Sequence, residues 1–275
     1  MKQVFTRVAV KVGSNVLTRR DGTLDVTRMS ALVDQIAELY KSGVEIILIS
    51  SGAVASGRSE VSPQKKLDSV DQRQLFSAVG QAKLINRYYE LFREHNIPVG
   101  QVLTTKESFG TRRHYLNQKN CMTVMLANGV IPIVNENDTV STYEMQFGDN
   151  DTLSAIVAAL IDADLLLLLS DIDGLFTDDP NSNPNAELIH VVEKLDDHLL
   201  KMGKSTSTSD VGTGGMASKL TAAKLASAAG TDMVIANGED FRNIHRVIEG
   251  QDCGTLFLSH KKDEFYLMDY LEKML

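Results

Sequence analysis

Two lysines in this chain lie beside segments that could bind an anion. Lys11 lies within the alternating apolar run RVAVKVG, residues 7–13, just before the loop sequence GSN. Lys219 falls in the first turn of a strongly helix-forming segment, 216–230, where a cation is unfavourable for the helix dipole. Lys11 alone could be an edge lysine whose stem lies along apolar surface. The unfavourable position of Lys219 indicates a functional reason.

Two acidic clusters lie close together in the middle of the chain. NEND at 135–138 follows an apolar run typical of a buried strand, and GDND at 148–151 precedes a segment with helical apolar spacing. Either cluster alone could simply form a turn or a helix N-cap, where Asn, Asp and Gly are common. Ligands of open α/β sheets bind beyond the carboxyl ends of the strands. Together the clusters therefore favour a site for a cationic, hydroxylated or metal-bearing ligand.

Two glycine-containing segments are candidates for phosphate binding. SSGAVASG at 50–57 joins a predicted strand to a helix, and GKSTSTSDVGTGG at 203–215 leads into the helix that carries Lys219. Small residues let backbone N–H groups approach an anion, and a helix N-terminus adds partial positive charge. The first segment fits neither the dinucleotide nor the P-loop pattern. The alternative for segment 50–57 is a tight turn, and the alternative for segment 203–215 is a flexible linker.

Glycine loops, lysines and acidic clusters together fit phosphoryl transfer. That reaction depends mostly on positioning and charge neutralisation, which backbone N–H groups, lysines and Mg²⁺ supply. The residues alone therefore indicate a phosphotransferase or a nucleotide-binding protein.

The elements that must position these residues alternate along the chain. Apolar runs predict strands at 7–13, 44–49, 97–104, 130–134, 164–169, 233–236 and 254–257. Helical spacing predicts helices at 26–40, 71–94, 115–128, 152–161, 216–230 and 241–248. Turn residues at 172–187 predict a hairpin followed by a surface loop. This alternation predicts an α/β fold with a mainly parallel sheet covered by helices.

Composition excludes several classes of protein. The chain has 275 residues, is 43% hydrophobic and carries a formal charge of −8, which argues against nucleic-acid binding. Its two cysteines form no CxxC pair, its histidines lack zinc-site spacing, and no GxSxG elbow is present. The N-terminus lacks a signal peptide and no apolar run is long enough to span a membrane. A cytoplasmic protein with no membrane partner is expected.

A set of ordered motifs resembles one known family. The motifs are VKVGSNVLT, ISSGAVASGR, AVGQAKL, VNENDTV, FGDNDTLSA, DGLFTDDP, GTGGMASKL and GTLF. From about Val8 to Phe257 the chain is similar to the glutamate 5-kinases of the amino acid kinase superfamily. The resemblance implies a three-layer αβα sandwich around an open, mainly parallel sheet. It also implies that ATP phosphorylates the γ-carboxylate of L-glutamate, the first step of proline biosynthesis.

The resemblance also assigns roles to individual residues. Lys11 and Lys219 would flank the transferring phosphoryl group, Asp151 would orient both lysines, and the N–H of Gly52 would contact the same group. Glutamate would bind to Ser51, Asp138 and Asn150. The nucleotide site would comprise Lys11, Ser170, Asp171, Thr213, Gly214, Gly215, Met216, Ala217, Ser218 and Lys219. Mg²⁺ would bind mainly through the ATP phosphates, with few protein ligands.

The resemblance further predicts domain organisation and partners. Residues 1–258 would form the kinase domain, with a glutamate-binding lobe at about 1–165 and an ATP-binding lobe at about 166–258. Residues 259–275 would form a charged, amphipathic tail with no assigned role, and no PUA domain is expected. Proline is a possible feedback inhibitor, and a homo-oligomer, dimer or tetramer, is expected.

Two alternatives remain open at this stage. An N-acetylglutamate kinase would perform the same chemistry on a neutral, acetylated amine, which would gain nothing from the carboxylate of Asp138. A non-catalytic amino acid or nucleotide sensor could keep the fold. Loss of Lys11, Lys219 or Asp151 would indicate such a sensor, and all three residues are present.

Overall fold

The sheet has eight strands, in the order β3-β4-β2-β1-β5-β7-β8-β6. The structure, a computed structural model, describes residues 5–140, 149–196, 199–200, 215–261 and 265–274. The strands are β1 Arg7–Val12, β2 Glu45–Ser50, β3 Val99–Thr104, β4 Ile131–Glu136, β5 Leu165–Ser170, β6 Val191–Val192, β7 Asp232–Asn237 and β8 Thr255–Phe257. Among these strands, neighbours pair in parallel except for β7 and β8.

Helices cover both faces of this sheet. They are α1 Ser14–Leu17, α2 Val26–Lys41, α3 Ala53–Arg58, α4 Ser69–Glu94, α5 Arg112–Ala127, α6 Asn150–Leu160, α7 Met216–Ala229, α8 Asn243–Ile248 and α9 Leu267–Met274. One hydrophobic cluster joins the sheet to α5, α6, α7 and α9, and a second joins it to α2, α4 and α8. The predicted three-layer αβα sandwich is thereby confirmed.

Apolar content explains why the strands lie in the centre. Strand β5, LLLLLS, is buried along its whole length, as expected of a parallel strand covered on both faces. The register places Lys11 opposite Leu168 in β5 and opposite Ile49 in β2. The lysine near the end of β1 therefore lies in the middle of the sheet, next to its carboxyl edge. The interpretation of Lys11 as a lysine at the edge of the sheet is therefore excluded.

Two boundaries differ from the predicted ones in a way that matters for function. Strand β4 continues past the apolar run to Glu136, and α6 begins at Asn150 rather than Thr152. Polar residues can extend the strand because Asn135 and Glu136 are buried and hydrogen-bonded there. Asn135 and Glu136 of the first acidic cluster therefore lie in β4, and Asn150 and Asp151 of the second lie in α6.

Other elements were not predicted or differ in extent. The short strand β6, the helical turns α1 and Lys106–Phe109, and helix α9 have no separate prediction. Helix α9 lies in the expected tail and buries Leu267 and Leu271 in the cluster around α6 and α7. The hairpin predicted at 172–187 is reduced to a single antiparallel bridge, Phe176 to Leu188. No helix among the described residues is long and apolar enough to cross a membrane.

Two glycines allow helices α3 and α4 to touch backbone to backbone. A Cβ atom on Gly80 would lie 1.8 Å from the carbonyl oxygen of Ala53, and one on Gly57 would lie 1.9 Å from that of Phe76. Helix α3 begins directly after Gly52, whose φ of 109° is rare for residues with a side chain. The close contact with α4 therefore fixes the position of the first glycine loop.

We expect Gly80→Ala to destabilise the protein by about 1 to 3 kcal/mol, because the new methyl group forces α3 and α4 apart. The free energy of unfolding in urea measures the change. Ala78→Gly, at an exposed position of the same helix, is the control for helix propensity, which by itself favours alanine by about 1 kcal/mol. A Gly80→Ala protein that is more stable than the wild type would contradict the close contact.

Candidate active site

A buried carboxylate between two lysines forms the centre of the site. Asp151, in the first turn of α6, is fully buried. Its Oδ1 lies 2.5 Å from Nζ of Lys11 on β1, and its Oδ2 lies 3.1 Å from Nζ of Lys219 on α7. Ser218 donates its hydroxyl to Oδ2 at 2.9 Å. Three elements that are distant in the sequence thus meet at one side chain.

The two lysines control the charge of Asp151. Burial by itself opposes ionisation, but the positive charges of Lys11 and Lys219 outweigh that effect and hold the pKa of Asp151 below its ordinary value. The carboxylate is therefore ionised at neutral pH, and the three groups together carry one net positive charge. Both lysine side chains are less than a tenth exposed. This arrangement can attract and neutralise a phosphoryl group.

A second polar network connects the ends of β2 and β4 to the start of α6. The side-chain amide of Asn150 donates to Oγ of Ser51 at 2.8 Å and to Oδ1 of Asn135 at 3.1 Å. Asn135 in turn donates to the side-chain oxygen of Gln81 on α4 at 3.0 Å. Because Oγ of Ser51 accepts a hydrogen bond, its hydroxyl proton can point to a ligand acceptor. The amide oxygen of Asn150 can accept from a ligand donor.

Asp138 lies just beyond β4 and pairs with an arginine from α4. Nε of Arg73 donates to Oδ1 of Asp138 at 2.8 Å, and a terminal nitrogen of Arg73 lies 3.9 Å from Oε2 of Glu136. Burial raises the pKa of Asp138, and Arg73 only partly offsets this effect. A cationic ligand group beside Asp138 would restore the favourable environment that burial removes.

The residues that follow β5 and the start of α7 form the other side of the site. Asp171 accepts hydrogen bonds from Asn15 at 2.9 Å and from Ser170 at 3.1 Å. Burial opposes ionisation of Asp171, but these hydrogen bonds and the charge of Lys219 hold its pKa below the ordinary value. Gly215 is the N-cap of α7 and provides no side-chain cap. The helix start can therefore accept an external anion.

Most predicted site residues lie at this carboxyl edge of the sheet. Asp151 contacts Lys11, Lys219 and Ser218 directly, and Ser51 contacts Asn150. Gly52 caps α3 at the end of β2, and Met216 and Ala217 lie in the first turn of α7. Thr213 and Gly214 lie outside the described residues.

Three polar residues of this region, Asn15, Arg73 and Gln81, had no predicted role, and Asn135 was predicted only as a member of the acidic cluster 135–138. Asn15, Gln81 and Asn135 lie within the motifs that carry the family resemblance, VKVGSNVLT, AVGQAKL and VNENDTV. Their position within these motifs could have indicated that these three residues belong to the site. Arg73 lies outside those motifs, and only its contact with Asp138 identifies it.

The described residues include no group of three or more His, Cys, Asp or Glu side chains arranged to hold a metal ion. Both oxygens of Asp151 already contact lysine ammonium groups. A divalent cation at this site would therefore depend on oxygen ligands from a bound substrate.

Comparison with known proteins agrees with this architecture. The amino acid kinase family matches the chain over residues 6–237. A protein named glutamate 5-kinase from Bacteroides thetaiotaomicron is 69% identical over 239 residues, which cover 87% of this chain and 66% of the relative. One of the same name from Shewanella oneidensis is 46% identical over 253 residues, which cover 92% and 68%. The predicted resemblance is confirmed, and the chain spans about two thirds of the length of these curated relatives.

Solved structures show the same fold at low sequence identity. A UMP kinase from Bacillus anthracis superposes with a TM-score of 0.63 and 18% identity, covering 93% of this chain and 97% of that one. An isopentenyl phosphate kinase from T. acidophilum gives 0.63 and 16%, covering 92% and 100%. These two likenesses show the fold alone.

We expect Asp151→Asn to lower the free energy of unfolding at pH 7 by about 3 to 5 kcal/mol, because two buried lysines lose their counter-charge. The folded-state pKa of Asp151 lies below the unfolded value, so its contribution is fully present above the unfolded pKa of about 3.9 and is lost as the pH falls through the folded pKa. Urea unfolding at several pH values measures this difference.

Asp149→Asn is the matched control for this measurement. Asp149 is the N-cap of α6, and asparagine caps a helix equally well, so we expect only a small change at pH 7. Burial raises the pKa of Asp149, so ionisation of this side chain lowers the stability of the fold, whereas ionisation of Asp151 increases it. An Asp151→Asn protein as stable as the wild type at pH 7 would contradict the electrostatic role.

Proposed function

Because the chain belongs to the amino acid kinase family, we propose that it transfers the γ-phosphoryl group of ATP to the γ-carboxylate of L-glutamate. The products are L-glutamyl 5-phosphate and ADP, and the reaction is the first step of proline biosynthesis. The observation that carries the proposal is the buried Asp151 with Lys11 and Lys219 on its two oxygens. The glutamate 5-kinase relatives at 69% and 46% identity support glutamate as the substrate.

The chemistry requires charge neutralisation more than proton transfer. The γ-carboxylate of glutamate ordinarily has a pKa of about 4.3, so it is already ionised at neutral pH and needs no general base. Its attack on the γ-phosphorus brings two anions together, and Lys11 and Lys219 offset their repulsion. Asp151 keeps both ammonium groups at fixed positions, so little reorganisation is needed during the reaction. The N–H of Gly52 is proposed as a further donor to the transferring group.

Glutamate recognition uses the second polar network. Asp138 is proposed to bind the α-ammonium, since a buried carboxylate with a raised pKa gains most from a cationic partner. Ser51 offers a hydroxyl proton and Asn150 an amide oxygen, because their mutual hydrogen bond uses the complementary atoms. The N-acetylglutamate alternative is not favoured, because an acetylated amine is neutral and the relatives are named for glutamate.

ATP is the co-substrate that the kinase relatives imply. Its phosphates are proposed to lie at the start of α7, near Gly215, Ser218 and Lys219, with Ser170 and Asp171 on the nucleotide side. Thr213 and Gly214 complete the proposed nucleotide segment. Mg²⁺ would be held mainly by ATP and would neutralise part of the charge of its phosphates. Residues from about 1 to 165 are proposed as the glutamate-binding lobe, and residues from about 166 to 258 as the ATP-binding lobe.

Three other features stay predictions. Proline is proposed as a feedback inhibitor at or near the glutamate site. Assembly as a dimer or tetramer is proposed for the active form. A cytoplasmic location agrees with the proposed metabolic role.

Trapping of the acyl phosphate with hydroxylamine tests the proposed function. We expect ATP-dependent hydroxamate formation from L-glutamate and very little from N-acetyl-L-glutamate, because only the free ammonium can pair with Asp138. The readout is the coloured iron complex of the hydroxamate. Product from the acetylated substrate alone would identify the activity as that of an N-acetylglutamate kinase. No product from either substrate would favour the non-catalytic sensor.

We expect Lys219→Met to reduce kcat on the order of 10²- to 10³-fold, because one of two cations at the transferring group is lost. Methionine keeps much of the side-chain volume, so α7 should remain packed. Lys224→Met, at an exposed position of the same helix, is the control and should retain wild-type kcat. Equal losses in the two variants, measured by ADP release, would argue against a specific role for Lys219.

A further inference from the structure

The glutamate side of the site contains a cation that the proposed mechanism does not use. Arg73, near the start of α4, donates from Nε to Oδ1 of Asp138 at 2.8 Å. One of its terminal nitrogens lies 3.9 Å from Oε2 of Glu136. The side chains of Asp138 and Glu136 are 11% and 4% exposed, whereas that of Arg73 is 28% exposed. A partly accessible guanidinium is thus held against two buried carboxylates.

This ion-pair cluster is continuous with the residues proposed to bind glutamate. The backbone N–H of Glu136 donates to Oδ1 of Asn135 at 2.9 Å, and the same oxygen accepts from Asn150 at 3.1 Å. Asn150 also contacts Ser51. Arg73 therefore belongs to the same wall of the site as the proposed substrate ligands.

The charges of the proposed substrate leave one group without a counter-charge. Glutamate has one ammonium and two carboxylates, and the γ-carboxylate must point to Lys11 and Lys219. If the ammonium pairs with Asp138, the α-carboxylate on the same carbon atom must lie close to Asp138 and Glu136. Two buried carboxylates would repel it unless a cation lies beside it. Among the described ion pairs, Arg73 is the cation shared by these two acids.

Given the proposed function, we propose that Arg73 binds the α-carboxylate of glutamate and so determines specificity for a free α-amino acid. Arg73 and Asp138 place a positive and a negative group in contact. The α-ammonium and α-carboxylate of glutamate present the opposite signs side by side. A guanidinium carries five N–H donors and can serve more than one carboxylate. Arg73 can therefore hold Asp138 and the substrate together.

A purely supporting role for Arg73 makes a different prediction. In that case the arginine only neutralises Asp138, and its loss would weaken binding of every ligand whose ammonium pairs with Asp138. If Arg73 contacts the α-carboxylate, only ligands with that carboxylate lose affinity. A substrate analogue without the charged α-carboxylate separates the two roles.

The experiment compares L-glutamate with L-isoglutamine, whose α-carboxylate is replaced by a neutral amide while the ammonium and γ-carboxylate remain. We expect Arg73→Met to raise KM for L-glutamate about 10- to 100-fold with a small change in kcat, because a charge-assisted hydrogen bond is lost. KM for L-isoglutamine should change much less. Wild-type KM for L-isoglutamine should lie in the range of the variant's KM for L-glutamate.

Controls keep this test separate from folding and from the proposed function. Arg87→Met, on an exposed part of α4 where Arg87 pairs with Glu90, should behave like the wild type. Arg73→Lys should recover part of the affinity for L-glutamate, since it keeps the charge without the planar fork. Wild-type activity with L-glutamate tests the proposed function before any variant is made. Calorimetric binding of both ligands gives the same comparison without turnover.

Two outcomes would overturn the role of Arg73. Equal losses of affinity for L-glutamate and L-isoglutamine would mean that Arg73 acts only through Asp138. A lower KM for L-glutamate in Arg73→Met would mean that Arg73 competes with the substrate for Asp138. A selective loss for L-glutamate supports the proposal.

Discussion

The ion triad of Lys11, Asp151 and Lys219 is the interaction on which the rest of the site depends. All three groups are buried, so each lysine needs the carboxylate and the carboxylate needs the lysines. Their elements, β1, α6 and α7, come from widely separated parts of the chain, and the triad brings them together. One net positive charge remains, and it lies where a transferring phosphoryl group would need it.

The sheet makes such a triad possible. The carboxyl ends of the parallel strands lie at one edge of the sheet, and continuous apolar runs such as β5 place strands in its middle, buried on both faces. Small residues then allow helices and loops beyond that edge of the sheet to approach one another closely. Gly57 and Gly80 let α3 touch α4, and Gly52 takes up a backbone conformation that a side chain would disfavour. Scaffold and site are therefore built from the same short segments.

Much of the fold could be predicted because its signals are local, whereas the grouping of Asp151 with Lys11 and Lys219 was implied by the family resemblance. Apolar runs and helical spacing identify most strands and helices, and the misplaced charge of Lys219 in a first turn points to function. Contacts between distant segments carry no such local signal. Gln81 contacts Asn135 on β4, and Arg73 contacts Asp138 just beyond β4. Only folding brings these residues together. The two-residue strand β6 is too short for any periodicity to show.

The most direct test of the triad is the affinity for a transition-state mimic. Calorimetry would compare MgADP alone with MgADP, tetrafluoroaluminate and L-glutamate together, in the wild type and in Asp151→Asn. Positioned lysines should favour the mimic selectively, so Asp151→Asn should lose about 100-fold or more in affinity for it. Its affinity for MgADP alone should fall much less, because ADP lacks the transferring group that both lysines are proposed to contact. An equal loss for both ligand sets, or none for the mimic, would contradict the claim that Asp151 holds the lysines for phosphoryl transfer.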